Sequence, residues 1–150
     1  PFYGQGMNAG FEDCRILMEI MDTCAPNDWS TVFQQYELAR KRNGDAVADL
    51  ALMNFIEMRD LVADPGFLER KKIEKQLGLL YPLQFNSVYE MVSFSHTSYA
   101  TALRCQQAQD KLLAWIMSRG AFETLVEQTP FKEELNQRMQ QYADEVASFV

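Results

Sequence analysis

The segment TPFKEELNQRMQQYADEVASF, residues 129–149, is the most regular amphipathic pattern in this chain of 150 residues. Thr129 can cap a helix and Pro130 suits the first helical position. Charged side chains are interleaved with the apolar ones, which favours packing on a protein surface over spanning a bilayer. The apolar residues recur three or four positions apart: Phe131, Leu135, Met139, Tyr142, Val146 and Phe149. This segment is therefore predicted to be a helix with one buried face.

The rest of the chain also has the periodicity of helices, with glycine and proline at the joints between segments. Asn43-Gly44 is expected to break or bend one of these helices. Residues 81–96 are less regular and allow either a short strand or a helical turn, and a short segment at 122–128 precedes the last helix. Further helices are predicted over residues 9–24, from Asn27 or Asp28 to about 43, and over 45–62, 67–80 and 99–118. Together these segments predict an all-α helical bundle.

Composition excludes several classes of partner. The net charge of −7 argues against a nucleic-acid surface and against a polybasic membrane patch. The chain has only three cysteines and one histidine, His96, without metal-ligand spacing, so no metal site is predicted. An odd cysteine count without a secretory segment fits a reducing compartment, and a cytoplasmic location is expected. No side chain is singled out as a catalytic acid, base or nucleophile.

The first residues, PFYGQGMN, form a glycine-punctuated turn that runs into the first predicted helix. Gly4 and Gly6 carry no Cβ, so the backbone can turn sharply and lie close to a flat ligand. A helix start presents backbone N–H groups and a positive dipole end to a negative group. Two glycines alone are weak evidence, and by themselves they favour a simple helix-entry turn over a ligand site.

Three ordered segments together resemble the flavin-dependent aromatic hydroxylases. The first, PFYGQGMNAGFED at residues 1–13, is similar to the end of the FAD-binding region in that family. The second, NFIEM at 54–58, and the third, YEMVSFS at 89–95, are similar to segments on the family's substrate side. The resemblance extends from Pro1 to about residue 105. It is most specific for members that act on L-kynurenine.

The resemblance implies a flavin site in the N-terminal turn and a substrate site nearby. The N–H groups of Met7 and Asn8 would face the pyrimidine carbonyl of the flavin, and the helix dipole would stabilise negative charge on its reduced form. The residues expected to contact FAD are Pro1, Gly4, Gly6, Met7 and Asn8. The residues expected to contact the substrate are Phe2, Tyr3, Gln5, Asn54, Met58 and Tyr89.

Two of these residues have alternative interpretations when the resemblance is set aside. Asn54 lies on the apolar stripe of its predicted helix, where an amide bonded to neighbouring backbone is the more common arrangement. Tyr89 alone would be taken for a core or rim tyrosine. Glu57 is expected to be a positioning or surface carboxylate, and His96 to be structural or exposed.

The resemblance also implies an organisation and a reaction. Residues 1–24 would end the FAD-binding region, and residues 25–150 would form a helical C-terminal domain that covers the substrate pocket. With the N-terminal flavin domain, the whole enzyme would use NADPH and O2 to hydroxylate L-kynurenine through a flavin hydroperoxide. The chain alone is expected to be inactive. The alternatives are a related FAD hydroxylase of another aromatic acid and a non-enzymatic helical interaction module.

Overall fold

The computed structural model describes residues 3–149, which fold as seven α-helices with no strand among them. The prediction of an all-α fold is confirmed. The α-helices are α1 Gly6–Thr23, α2 Trp29–Ile56, α3 Pro65–Leu80, α4 Val88–Phe94, α5 Tyr99–Arg119, α6 Phe122–Leu125 and α7 Thr129–Ala147.

The helix α2 passes through Asn43-Gly44 without a break, so the prediction of two helices divided at this point is wrong. A glycine inside a helix costs only about 1 kcal/mol relative to alanine. Packing offsets that cost here, because Ala46 and Leu50 are buried just beyond the glycine. The Asn43 side chain does not end the helix either: its Oδ1 accepts a hydrogen bond from the backbone N–H of Ala100 on α5, at 3.1 Å.

A π-helical turn, Glu57–Leu61, follows α2 directly. The predicted helix at 45–62 therefore extends as far as expected, but its last turn is wider than an α-helix. Such turns are rare and are often found at functional sites. Asp64 then starts α3, because its side chain accepts a hydrogen bond from the backbone N–H of Phe67 at 2.8 Å.

The irregular stretch at 81–96 contains the short helix α4 and no strand. The helix begins with a capping box: Ser87 Oγ accepts from the Glu90 N–H at 3.3 Å, and the Glu90 carboxylate accepts from the Ser87 N–H at 2.9 Å. This reciprocal pair satisfies two backbone donors at once, which favours the helical turn over the extended alternative.

The central helix is α5, which packs on two hydrophobic clusters. The first cluster joins α5 to α3, α6 and α7, and its largest fully buried members are Ile73, Leu77, Phe85, Leu113, Ile116, Phe122, Leu135 and Met139. The second joins α5 to α2 and α4 through Ala46, Leu50, Val88, Met91, Val92, Tyr99, Ala102 and Cys105. The predicted apolar face of α7 lies in the first cluster, where Phe131, Leu135, Met139 and Tyr142 are buried.

The helix α1 buries no residue, although its sequence has an apolar stripe. Met7, Phe11 and Met18 on that stripe are each more than 60% exposed. On its other side α1 is held to α2 by Arg40, whose guanidinium is 3.1 Å from Glu12 Oε1 and 2.6 Å from Asp13 Oδ1. No helix within residues 3–149 is long and apolar enough to cross a membrane.

Candidate functional site

A cleft of about 340 Å³ lies where the N-terminal turn, the π-helical turn, α3 and α4 meet. Four of the residues predicted to contact substrate line it: Tyr3, Asn54, Met58 and Tyr89. They come from three separate segments of the sequence. The fold therefore brings together side chains that are far apart in the sequence.

Two tyrosines form an aromatic wall in this cleft. The rings of Tyr3 and Tyr89 have centroids 5.7 Å apart and are tilted by 31°. Phe94 supports the Tyr89 ring from its edge, at 6.1 Å and 69°. Tyr89 is 52% exposed, so the wall is open to an incoming planar group. Offset and tilted aromatic contacts of this kind each contribute about 0.5–1.5 kcal/mol beyond the burial of area.

The phenol of Tyr3 is held in its neutral form. Burial, helped by the nearby charges of Glu57 and Glu74, raises the pKa of Tyr3 to about 12. The hydroxyl is therefore a hydrogen-bond donor throughout the physiological range of pH.

Three charged side chains form a second wall of the cleft. Lys71 Nζ lies 3.4 Å from Glu57 Oε2 and 3.1 Å from Glu74 Oε2, so one ammonium bridges two carboxylates. Arg70 holds the other oxygen of Glu74 through Nε at 3.1 Å, and it also pairs with Asp110. Glu57, Lys71 and Glu74 therefore give the cleft two carboxylates and one ammonium, which can form charged hydrogen bonds with a polar ligand.

Sequence reasoning missed two of these three residues. Glu57 was recognised only as a positioning or surface carboxylate, and Lys71 and Glu74 were not singled out. Their one signal is the spacing of three on α3, which places both on the same helix face. That spacing is common on exposed helices and does not indicate a cleft by itself.

The floor of the cleft is a buried amide. Gln109 is 1% exposed, and its Nε2 donates to the carbonyl of Asn86 at 2.7 Å and to the hydroxyl of Tyr142 at 3.0 Å. Both donor hydrogens are used inside the protein, so the amide fixes the floor in one orientation.

Most of the N-terminal turn is exposed to solvent. Gly4 has a φ of +67°, a conformation that favours glycine, and α1 starts at Gly6 without a side-chain cap. Met7 and Asn8 in its first turn are exposed. The predicted residues Pro1 and Phe2 lie outside the described part of the chain.

Gln5 does not line the cleft with the other predicted substrate residues. Its Oε1 accepts from Asn8 Nδ2 at 2.8 Å and from the Tyr99 hydroxyl at 3.5 Å, and it borders a separate cavity of about 420 Å³. Ser93 borders the same cavity, and its buried Oγ has no hydrogen-bond partner among residues 3–149. An unpartnered buried hydroxyl beside an uncapped helix start fits a polar ligand.

No group of three or more metal-ligating side chains occurs within residues 3–149. The three cysteines are unpaired, and only Cys105 is buried.

Curated proteins with related sequences share one name. The chain is 54% identical over 118 residues to a kynurenine 3-monooxygenase of Cytophaga hutchinsonii, which covers 79% of this chain and 26% of that protein. It is 41% identical over 135 residues to one of Christiangramia forsetii, covering 90% of this chain and 30% of that protein. With one of Candida albicans it shares 44% identity over 114 residues, 75% of this chain and 25% of that protein. No family model matches the chain.

Proposed function

Because the chain belongs to the family of the kynurenine 3-monooxygenases and spans about a quarter of their length, we propose that it is the helical C-terminal part of such an enzyme. The whole protein would bind FAD, take electrons from NADPH and use O2 to hydroxylate L-kynurenine to 3-hydroxykynurenine. In this proposal the cleft described above binds the kynurenine.

One observation carries this proposal. Tyr3, Asn54, Met58 and Tyr89 belong to the three segments that resemble the flavin hydroxylases, and all four line the same cleft. A chance resemblance in three separate segments has no reason to converge on one cavity. The convergence supports a shared ligand.

The chemistry of the two walls matches an amino acid that carries an aromatic ring. The ring of the substrate would pack against Tyr3 and Tyr89, with Met58 beside it. The ammonium of the substrate would face Glu57, and the Asn54 amide would hydrogen-bond the same end of the molecule. The neutral Tyr3 hydroxyl would donate to a substrate oxygen.

The N-terminal turn would hold the flavin through Pro1, Gly4, Gly6, Met7 and Asn8. A Cβ placed on Gly4 or Gly6 meets no atom within 4 Å, so the space beside this turn is open to a flat ring system. When bound, FAD would supply the redox and oxygen-activating chemistry that no side chain of this chain provides. The chain's own residues would orient the substrate ring and exclude water from it. As the resemblance implies, Phe2 and Gln5 would lie on the substrate side of the turn, although Gln5 does not line the cleft in this structure.

The exposed stripe of α1 would pack against the flavin domain. We assign residues 1–24 to the end of the FAD-binding region and residues 25–150 to the domain that covers the substrate pocket. Met7, Phe11 and Met18 are large apolar side chains, and a stripe of this kind on a water-exposed helix marks a contact surface. We also propose a cytoplasmic location, which three unpaired cysteines are compatible with.

The test uses the intact protein supplied with FAD. NADPH oxidation is followed with and without L-kynurenine, and the products are separated to detect 3-hydroxykynurenine. Faster oxidation together with hydroxylated product supports the proposal. Oxidation that yields only hydrogen peroxide would assign the hydroxylase to another aromatic acid. A protein that neither binds flavin nor oxidises NADPH would be a non-enzymatic helical module.

A further inference from the structure

A third cavity, of about 770 Å³, lies on the side of the molecule where α2 meets the start of α5. It is separate from the cleft, and it shares only His96, Thr97 and Ser98 with the small cavity beside Gln5. Its polar lining includes Arg42, Asn43, His96, Thr97, Thr101 and Arg104. None of the described residues that line it is acidic, although the chain carries a net charge of −7.

The two arginines of this cavity differ from the others in the chain. Within residues 3–149, neither Arg42 nor Arg104 has a carboxylate partner. Every other arginine has one at 3.8 Å or less: Arg15, Arg40, Arg59, Arg70, Arg119 and Arg138. In an acidic protein, two unpaired guanidiniums that face one cavity leave a local excess of positive charge there.

The neighbouring groups can add hydrogen bonds to an anion. The guanidinium of Arg104 lies 4.0 Å from the centre of the Phe149 ring, which fixes its plane and leaves the N–H groups on its edge available. Thr101 Oγ1 accepts from Ser98 Oγ at 2.9 Å, so the Thr101 hydroxyl keeps its own hydrogen to donate. Thr97 Oγ1 lies 2.9 Å from Ser95 Oγ, whose one hydrogen goes to the Met91 carbonyl at 2.7 Å, so the Thr97 hydroxyl donates to Ser95.

The start of α5 contributes little to this site directly. The N–H of Ala100 is taken by Asn43 Oδ1, and the N–H of Thr101 is taken by Ser98 Oγ at 3.1 Å. The binding groups are side chains from two helices, and the helix dipole adds to their positive potential.

We propose that Arg42 and Arg104, with the hydroxyl of Thr101, form a binding site for a phosphate group. Guanidiniums match the geometry of phosphate oxygens better than that of a single-atom anion such as chloride, because each can donate two parallel N–H bonds. The phosphate has two possible sources: free inorganic phosphate, or the 2′-phosphate that distinguishes NADPH from NADH. The existence of the site does not depend on the function proposed above. Only its use for the 2′-phosphate of NADPH rests on that function.

The test is the protection of arginines from phenylglyoxal in the intact protein, read peptide by peptide with mass spectrometry. Inorganic phosphate should slow the modification of both Arg42 and Arg104 relative to sodium chloride at the same ionic strength. Arg138 is the internal reference, because it also lies over an aromatic ring, 4.5 Å from the centre of Trp115. Equal protection by chloride, or equal slowing at Arg138, would overturn the proposal.

A calorimetric titration with inorganic phosphate gives a second readout. Arg42→Gln and Arg104→Gln should each weaken binding by roughly tenfold, the loss expected when one charged hydrogen-bonding partner is removed. Arg138→Gln should leave the affinity unchanged. Unchanged affinity in both cavity variants would contradict the proposal.

Repeating the phenylglyoxal protection experiment with NADPH and NADH decides the source of the phosphate. Stronger protection by NADPH than by NADH or inorganic phosphate supports the site as one for the 2′-phosphate. Protection by inorganic phosphate without any advantage for NADPH supports it as a site for free phosphate. If the proposed monooxygenase function fails, the arm with inorganic phosphate still tests the site.

Discussion

The ring of Tyr3 lies 5.7 Å from the ring of Tyr89, although 86 positions of sequence separate them. The first belongs to the N-terminal turn proposed to hold the flavin, and the second belongs to α4. Their contact joins the turn to the helical domain at the wall of the cleft. Substrate ring and flavin would therefore meet at this pair, and the pair is the natural place to begin testing the site.

Replacing Tyr89 separates the contribution of its ring from that of its hydroxyl. Tyr89→Leu removes the contact with Tyr3, and we expect KM for L-kynurenine to rise by roughly threefold to tenfold, the value of one aromatic pair. Tyr89→Phe keeps the ring and should raise KM less, unless the hydroxyl also binds substrate. Steady-state kinetics of the intact enzyme measures both. An unchanged KM in Tyr89→Leu would place the substrate ring elsewhere.

Asn54→Ala should raise KM for L-kynurenine by at least about tenfold, because a hydrogen bond to a charged group is worth about 1.5–3 kcal/mol. The control is Gln34→Ala, which changes an exposed polar residue on the same helix. An equal change in both variants would mean that Asn54 acts only through the stability of α2. The two KM values, with the melting temperatures of the variants, decide between these outcomes.

Arg40→Ala should loosen α1 from α2. Arg40 is 6% exposed and pairs with both Glu12 and Asp13, so its loss leaves two carboxylates side by side. We expect a loss of about 1–3 kcal/mol in the free energy of unfolding, with faster amide hydrogen exchange concentrated in α1. Arg15→Ala, which removes an exposed pair with Glu19 on α1 itself, should cost less than about 0.5 kcal/mol. Equal losses would contradict the role of Arg40 as the tie between the helices.

Because Tyr142 is buried, the free energy of unfolding should decrease at alkaline pH. Burial raises its pKa to about 12, so between pH 10 and 12 the unfolded chain loses the phenol proton while the folded chain keeps it. Stability therefore falls as pH rises through this window, by up to about 2 kcal/mol. Tyr142→Phe should flatten the fall, although the variant also loses the bond from Gln109 at 3.0 Å and starts from a lower value. Urea unfolding at pH 9 and pH 11 measures the slope, and an equal fall in both proteins would contradict this origin.

Much of the fold follows from local patterns. The steps of three and four in residues 129–149 predict a helix whose face is buried by α5, and Phe131, Leu135 and Met139 lie in the core as expected. Ser87 and Glu90 settle the ambiguous stretch, because a capping box favours the helical turn.

The wrong prediction of a helix end at Asn43-Gly44 comes from a contact between residues that are distant in the sequence. Asn43-Gly44 has the composition of a helix end, yet Asn43 bonds to Ala100 and the helix continues. On α1, Met7, Phe11 and Met18 share one face of the helix and remain more than 60% exposed within residues 3–149. A helix pattern indicates which face is apolar and not which part of the protein packs on it.

Some residues of the candidate site could be predicted from the sequence and others could not. Motifs located Tyr3, Asn54, Met58 and Tyr89, and the fold places them around one cleft. The bridge from Lys71 to Glu57 and Glu74 has no sequence motif, because it depends on how α3 packs against the π-helical turn. The sequence shows the charges of these three residues, but only the structure shows that the Lys71 ammonium lies within 3.4 Å of both carboxylates.

The central claim is that the cleft between Tyr89 and Glu57 binds L-kynurenine. A crystal structure of the intact enzyme with L-kynurenine tests this most directly. The account predicts electron density for the substrate with its ring against Tyr3 and Tyr89 and its ammonium directed at Glu57. Density for the substrate at another place, with this cleft filled by solvent, would contradict it.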